Sequence, residues 1–192
     1  VVGATNAVNL TDGLDGLAGG LGLIALFWLV AVSLQAGESK YLVEIALLMG
    51  AMGGFLSSNM RTPLNKKAKV FLGDSGSMAL GLALSWYCIN MSQVPNCSLA
   101  PVSVAWIVAL PVIDAFALFI TRISSGRHPF SADRLHFHHH FINAGFTVER
   151  TTLLILSFGF IFGFIGFAGS SLEGPDYYLT YAWTALLVVH TS

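Results

Sequence analysis

Charge is scarce in this sequence. Asp, Glu, Lys and Arg supply only 10% of its 192 residues, and 55% are hydrophobic; a soluble domain is about a quarter charged. A chain so poor in polar side chains cannot cover its own surface, and a soluble fold would expose large apolar patches. What remains is a membrane protein. The net charge of −1 lacks the basic footprint of a nucleic-acid binder. Cysteine is nearly absent: Cys88 lies in an apolar run, Cys97 in a polar stretch, and the pair makes no disulfide framework. No signal-peptide pattern opens the chain, no HExxH pattern suggests an intramembrane metalloprotease, and no two aspartates are adjacent. The triplets NLT, NMS and NCS fit a glycosylation pattern and read as chance.

What is present is a series of long apolar runs. A spanning helix needs about 20 mainly apolar residues, and candidates lie at 19–36, 41–58, 76–91, 100–121 and 151–171. A sixth opens near Tyr177. The third is short for a span. Inside a bilayer the backbone must satisfy itself, so the fold class is all-α, a polytopic helical bundle. Gly50, Gly53 and Gly54 are expected to permit close helix packing. The chain begins inside a motif and stops at LLVVHTS within an apolar run. It therefore reads as a single transmembrane domain over residues 1–192, the C-terminal part of a longer one, with N-terminal helices missing and the last helix cut.

Lys and Arg favour the cytoplasmic side. Arg61, Lys66, Lys67 and Lys69 fall in the second loop, and Arg122, Arg127, Arg134 and Arg150 in the fourth; only Lys40 lies elsewhere. By alternation both loops share a side with the segment before the first span. Each of these segments holds a polar cluster, so all three clusters are predicted to face the cytoplasm.

The first cluster is NAVNLTDGLDGLAGG, with Asn6, Asn9, Asp12 and Asp15. Asn9, Asp12 and Asp15 are three apart and would share one side of a helical turn. Two carboxylates and an amide suit Mg²⁺, or the hydroxyls and ring edges of a nucleoside; helix capping is the alternative, but it would need one such residue rather than four. The second is VFLGDSGS, where Asp74 precedes an apolar helix that Ser75 and Ser77 could cap. The N–H groups of that helix suit a phosphate, and a carboxylate beside a phosphate calls for a bridging cation. The third is PFSADRLHFHHHFINAGF. Arg134 can pair bidentately with phosphate, and His136, His138, His139 and His140 can donate to phosphate oxygens or move protons near neutral pH. A histidine metal site and a solvated loop compete there, but Phe130, Phe137, Phe141 and Phe146 give the loop an apolar side that must pack on something. His128 is a weaker member. Asp114, inside the fourth span, is either functional or structural; the isolated His190 carries no reading. The lysines at 66, 67 and 69 are explained by sidedness alone.

With NAVNLTDGLDGLAGG, KVFLGDSGSMALG, the LPVID helix and PFSADRLHFHHHFINAGF in this order, nearly the whole chain resembles the polyprenyl-phosphate N-acetylhexosamine-1-phosphate transferases, a glycosyltransferase family 4 group. The resemblance implies transfer of a sugar 1-phosphate from a UDP-sugar to a polyprenyl phosphate at a multi-pass bacterial inner-membrane site facing the cytoplasm, with Mg²⁺ or Mn²⁺ as cofactor. It implies a catalytic set of Asp12, Asp15, Asp74 and His136. Asp74 and Asn9 would meet the metal; Asn6, Asn9, Asp12, Arg134, His136, His138 and His139 would meet substrate. Asp133 and Arg134 before the histidines match the N-acetylglucosamine branch, so the expected partners are UDP-N-acetylglucosamine, undecaprenyl phosphate and the lipid bilayer, with UMP released; a homodimer is a candidate assembly. The expected role is the first membrane step of O-antigen or common-antigen synthesis. The family's paired-aspartate motif does not occur in these residues, so the chain alone is expected to be inactive. His140 exceeds the family's HxHH pattern and receives no role. Direct displacement and a two-step route through an enzyme aspartate both fit.

Two alternatives stand beside this. The phospho-N-acetylmuramoyl-pentapeptide transferases of peptidoglycan synthesis share the chemistry with another donor. A membrane transporter of metal ions or anions would place ionisable residues near the bilayer midplane, where only Asp114 and Glu44 are evident.

Overall fold

A computed structural model describes residues 1–37, 39–93, 100–128, 136–171 and 176–191. Their regular structure is entirely helical: α1 Val2–Leu10, α2 Leu17–Gln35, α3 Leu42–Asn59, α4 Gly73–Gln93, α5 Pro101–Ile107, α6 Ala109–Ser124, α7 Phe137–Asn143, α8 Val148–Ser171 and α9 Tyr177–Thr191. The all-α polytopic reading holds. Among the described residues, α2, α3 and α8 are long and apolar enough to cross a membrane by themselves. The helix that holds the third candidate, α4, has 21 residues, about 30 Å at 1.5 Å per residue, but it is not among the helices apolar enough to mark a span by composition.

The 100–121 candidate is not one straight helix. It breaks at Val108 into α5 and α6, bent by 86°. The cause is local. Pro111 has no N–H to give the Ile107 carbonyl, and its ring suits only the first turn of a new helix. The hydrogen bonds beside the break are long, 3.3 Å from Val108 to Val104 and 3.4 Å from Val112 to Val108. Arg122, expected in a loop, is instead buried in the last turn of α6.

α2 is the axis of the bundle, packed against α3, α4 and α8. Its Leu26 and Leu29 join Ile45 of α3 and Met91 of α4 in the main core. Gly50, Gly53 and Gly54 have no neighbour within 4 Å of an added Cβ, so among the described residues they do not supply the close packing. Gly81 does: a Cβ there would stand 2.8 Å from the Thr5 Cα, and this lets α1 lie against α4.

The bundle has two distinct ends. At one, the turn after α1 meets the C-terminus of α3, the N-terminus of α4 and α7. At the other, Gln35 of α2 bonds Ser171 of α8 at 2.8 Å, and Tyr41, just before α3, bonds Asn90 near the end of α4 at 3.4 Å.

Candidate active site

The first two polar clusters meet. The Asn9 side-chain amide donates to Asp74 Oδ1 at 3.1 Å and to Ser77 Oγ at 2.8 Å. Ser77 in turn donates to the Gly73 carbonyl at 2.8 Å, so it braces the turn rather than capping N–H groups. Asp12 accepts the Gly73 N–H and feels the charge of Asp74. Burial, and secondarily that neighbouring charge, push the Asp12 carboxyl above its ordinary range.

Asn9, Asp12 and Asp15 do not share a helical face. α1 ends at Leu10, and Thr11 turns its hydroxyl onto the Val8 carbonyl at 2.7 Å. Residues 11–16 form a turn closed by Gly16 at φ 82°, a conformation that suits glycine. The turn aims Asp12 at Asp74 and sends Asp15 elsewhere. Asp15 Oδ2 takes Arg61 Nε at 2.6 Å and the Ala68 N–H at 3.4 Å; Arg61 also lies 3.6 Å from Glu149. Asn6 spends its amide on the Val2 carbonyl of its own helix at 3.0 Å.

A divalent cation is a fair test of this geometry. Among the described residues no three His, Cys, Asp or Glu side chains converge as a metal site. Asp12 and Asp74 are nonetheless two mutually repelling hard-oxygen donors. That donor set fits an ion such as Mg²⁺, which takes one or two carboxylates and completes its shell with water and phosphate oxygens. It does not fit a closed structural zinc centre.

The histidine cluster packs onto the same turn. An added Cβ on Gly13 would stand 2.6 Å from the His138 Cε1, so only a bare backbone lets the ring seat there. The His136 and His138 rings are nearly parallel, 5.7 Å apart, and His139 lies 4.3 Å from His138. His138 is buried; burial first, then the two neighbouring histidines, bring its pKa down to about 4. It is therefore neutral at pH 7. His140 is exposed and His128 stands in an exposed connector. Arg134 lies outside the described residues.

Four participants were not legible as partners in the sequence. Asp114 Oδ1 accepts the Phe137 N–H at 2.9 Å and Oδ2 lies 3.1 Å from His136 Nδ1, fixing the start of α7. His190 Nε2 lies 3.8 Å from Asp114 Oδ1. Asn59, 4% exposed, accepts the Gly16 N–H at 2.8 Å and donates to the Val70 carbonyl at 2.8 Å. It ties the Asp12 turn to the segment that leads to Asp74. Arg61 does the same through Asp15. Asp114 stands out locally as a carboxylate in an apolar run, but the pairings do not, because each partner is remote along the chain.

Beside the cluster a groove of about 410 Å³ opens between α6, α8 and α9, walled by Leu110, Ile113, Phe158, Phe162, Leu186 and Val189, with Asp114, His140 and His190 at its polar part.

Residues 1–92, which include the first two clusters, match the family model described as glycosyl transferase family 4. Among curated proteins, an undecaprenyl-phosphate alpha-N-acetylglucosaminyl 1-phosphate transferase of Yersinia pestis is 32% identical over 169 residues, 88% of this chain and 46% of the relative. The protein of that name from Escherichia coli K12 is 33% identical over 152 residues, covering 79% of this chain and 41% of the relative. That of Haemophilus influenzae is 36% identical over 115 residues, 60% of this chain and 32% of the relative. The chain thus spans less than half the length of the curated relatives it matches.

Proposed function

The chain belongs to glycosyl transferase family 4, and from that premise we propose that the whole protein transfers N-acetylglucosamine 1-phosphate from UDP-N-acetylglucosamine to undecaprenyl phosphate and releases UMP. The observation that carries the reading is the meeting of all three polar clusters, with Asn9 on Asp74 and His138 on Gly13. A separate support is the name shared by the relatives.

In this reaction an oxygen of the lipid phosphate bonds to the β-phosphorus of the donor. The bond from that phosphorus to the bridging oxygen breaks, and the bridging oxygen leaves with UMP. Such transfers depend mostly on positioning and charge neutralisation. Asp12 and Asp74 would hold a Mg²⁺ or Mn²⁺ ion, braced by Asn9; when bound, the ion neutralises the diphosphate. His138, neutral and buried, offers one N–H donor rather than a positive charge. His136 and His139, with Arg134 from the preceding segment, supply further phosphate contacts. The apolar groove between α6, α8 and α9 suits a polyprenyl chain whose phosphate reaches the polar end. The site would lie at the cytoplasmic face of a bacterial inner membrane, where UDP-sugars are available.

UMP release by the full-length protein in membranes, with undecaprenyl phosphate and Mg²⁺, tests the reading. Release with UDP-N-acetylglucosamine and not with UDP-N-acetylmuramoyl-pentapeptide supports it. Release only with the second donor moves the protein to the peptidoglycan branch. Release with neither overturns it.

A further inference from the structure

Asp114 is a carboxylate within an apolar helix and is 7% exposed. A group there needs hydrogen-bond partners, and it has them. One oxygen accepts the Phe137 N–H at 2.9 Å, and the other lies 3.1 Å from His136 Nδ1. A backbone N–H can only donate, so it anchors the carboxylate in one rotation. With Oδ1 held that way, Oδ2 is left as an acceptor facing the imidazole. A carboxylate acceptor requires its histidine partner to be the donor, so the proton must reside on His136 Nδ1.

We propose that Asp114 is a positioning residue that locks His136 in its Nδ1–H tautomer, leaving Nε2 unprotonated in the neutral ring, able to take a proton and, once it holds one, to donate to phosphate. A histidine is put to defined use when the partner of one nitrogen fixes the role of the other. Here the partner comes from α6, and the residue that follows His136 supplies the second bond. The same two contacts therefore set the ring's tautomer and the path of the backbone into α7. His190 of α9 approaches the other side of the carboxylate, 3.8 Å from Oδ1, and competes for neither Oδ2 nor His136. The inference rests on the transferase reading for its catalytic consequence, but not for the tautomer itself.

The test is nitrogen NMR of ¹⁵N-histidine-labelled full-length protein in nanodiscs, paired with UMP-release kinetics, for wild type, Asp114→Asn and His190→Gln. Asp114→Asn keeps size and shape. Its amide oxygen can still take the Phe137 N–H, which turns the NH₂ toward His136 and reverses the bond. The expected result is a His136 proton on Nδ1 in wild type and on Nε2 in Asp114→Asn. His190→Gln keeps the wild-type tautomer. kcat of Asp114→Asn falls on the order of 10²-fold, the lower range for loss of a correctly protonated histidine, with KM for the donor little changed. An unaltered tautomer in Asp114→Asn overturns the proposal. So does a switched tautomer with wild-type kcat, or an equal switch in both variants, which would mean that loosened helix packing is the cause. If wild type releases no UMP with any donor, the transferase reading falls, and the tautomer spectra still decide the lock.

Discussion

The side-chain amide of Asn9 lies 3.1 Å from a carboxylate oxygen of Asp74, 65 residues further along the chain. This contact joins the end of α1 to the first turn of α4 and brings Asp12 and Asp74 into each other's field. It makes Asp74 the most exacting position to alter. Asp74→Asn keeps the shape and the Asn9 contact but removes one of two anionic donors. UMP release should fall at least about 10²–10³-fold, the scale for losing one electrostatic group at a transition state, with the melting temperature nearly unchanged. Normal turnover would refute the role given to Asp74.

Gly13→Ala tests whether the histidine cluster must sit on the first turn. The new Cβ would stand 2.6 Å from a ring atom of His138, which is 4% exposed and has little room to retreat. A shift of about 1 Å at such a site can lower a rate on the order of 10²-fold. Turnover should fall while membrane insertion persists; wild-type kinetics would show that the ring's seat is unimportant.

Asn59 and Arg61 brace the same turn with different energetics. Asn59→Leu leaves the Gly16 N–H and the Val70 carbonyl without their partner, at about 1–3 kcal/mol for each group that stays dry. Arg61 is more open, its side chain 28% exposed, so Arg61→Met should cost no more than about 1 kcal/mol. Thermal melts of the two variants should rank in that order; the reverse ranking would mean that the ion pair, not the buried amide, holds the turn.

Acid should loosen the site through His138. Its folded pKa, about 4, lies below the ordinary value of 6.5, so the unfolded chain binds the extra proton first. The stabilisation is complete above pH 6.5 and is lost as pH falls toward 4, up to about 3 kcal/mol at 1.36 per pH unit. His138→Gln should flatten the melting temperature across that window. An equally steep slope in the variant would assign the acid sensitivity to another group.

If Asp12 and Asp74 hold a divalent cation, chelation should stop UMP release and added Mg²⁺ should restore it. Undiminished release in chelator, after extensive dialysis, would exclude a metal requirement.

Much of the helical layout could be read from composition. The 19–36, 41–58 and 151–171 runs correspond to α2, α3 and α8, because a continuous apolar run has few alternatives inside a bilayer. The break at Val108 is not legible in the 100–121 run although Pro111 lies within it, since the run's apolarity masks the loss of one backbone donor. The regular spacing of Asn9, Asp12 and Asp15 suggested one shared face. The helix ends at Leu10, ahead of Asp12, and Arg61 draws Asp15 aside. The meeting of Asn9 with Asp74 and of His138 with Gly13 follows from tertiary packing, which spacing within a motif does not encode.

The touch between Gly13 and His138 also constrains how the chain threads the bilayer. Two points on the same face must be separated by an even number of crossings. α2 and α3 supply two. α4 starts beside Asn9 and finishes beside Tyr41, so it makes a third traverse. The bent pair α5–α6 must then complete a fourth, and its 86° elbow is a broken span rather than a hairpin that returns to the face it entered. A reagent confined to one side of a sealed vesicle would accordingly label cysteines introduced at 64 and 140 together, and one at 37 only from the other side.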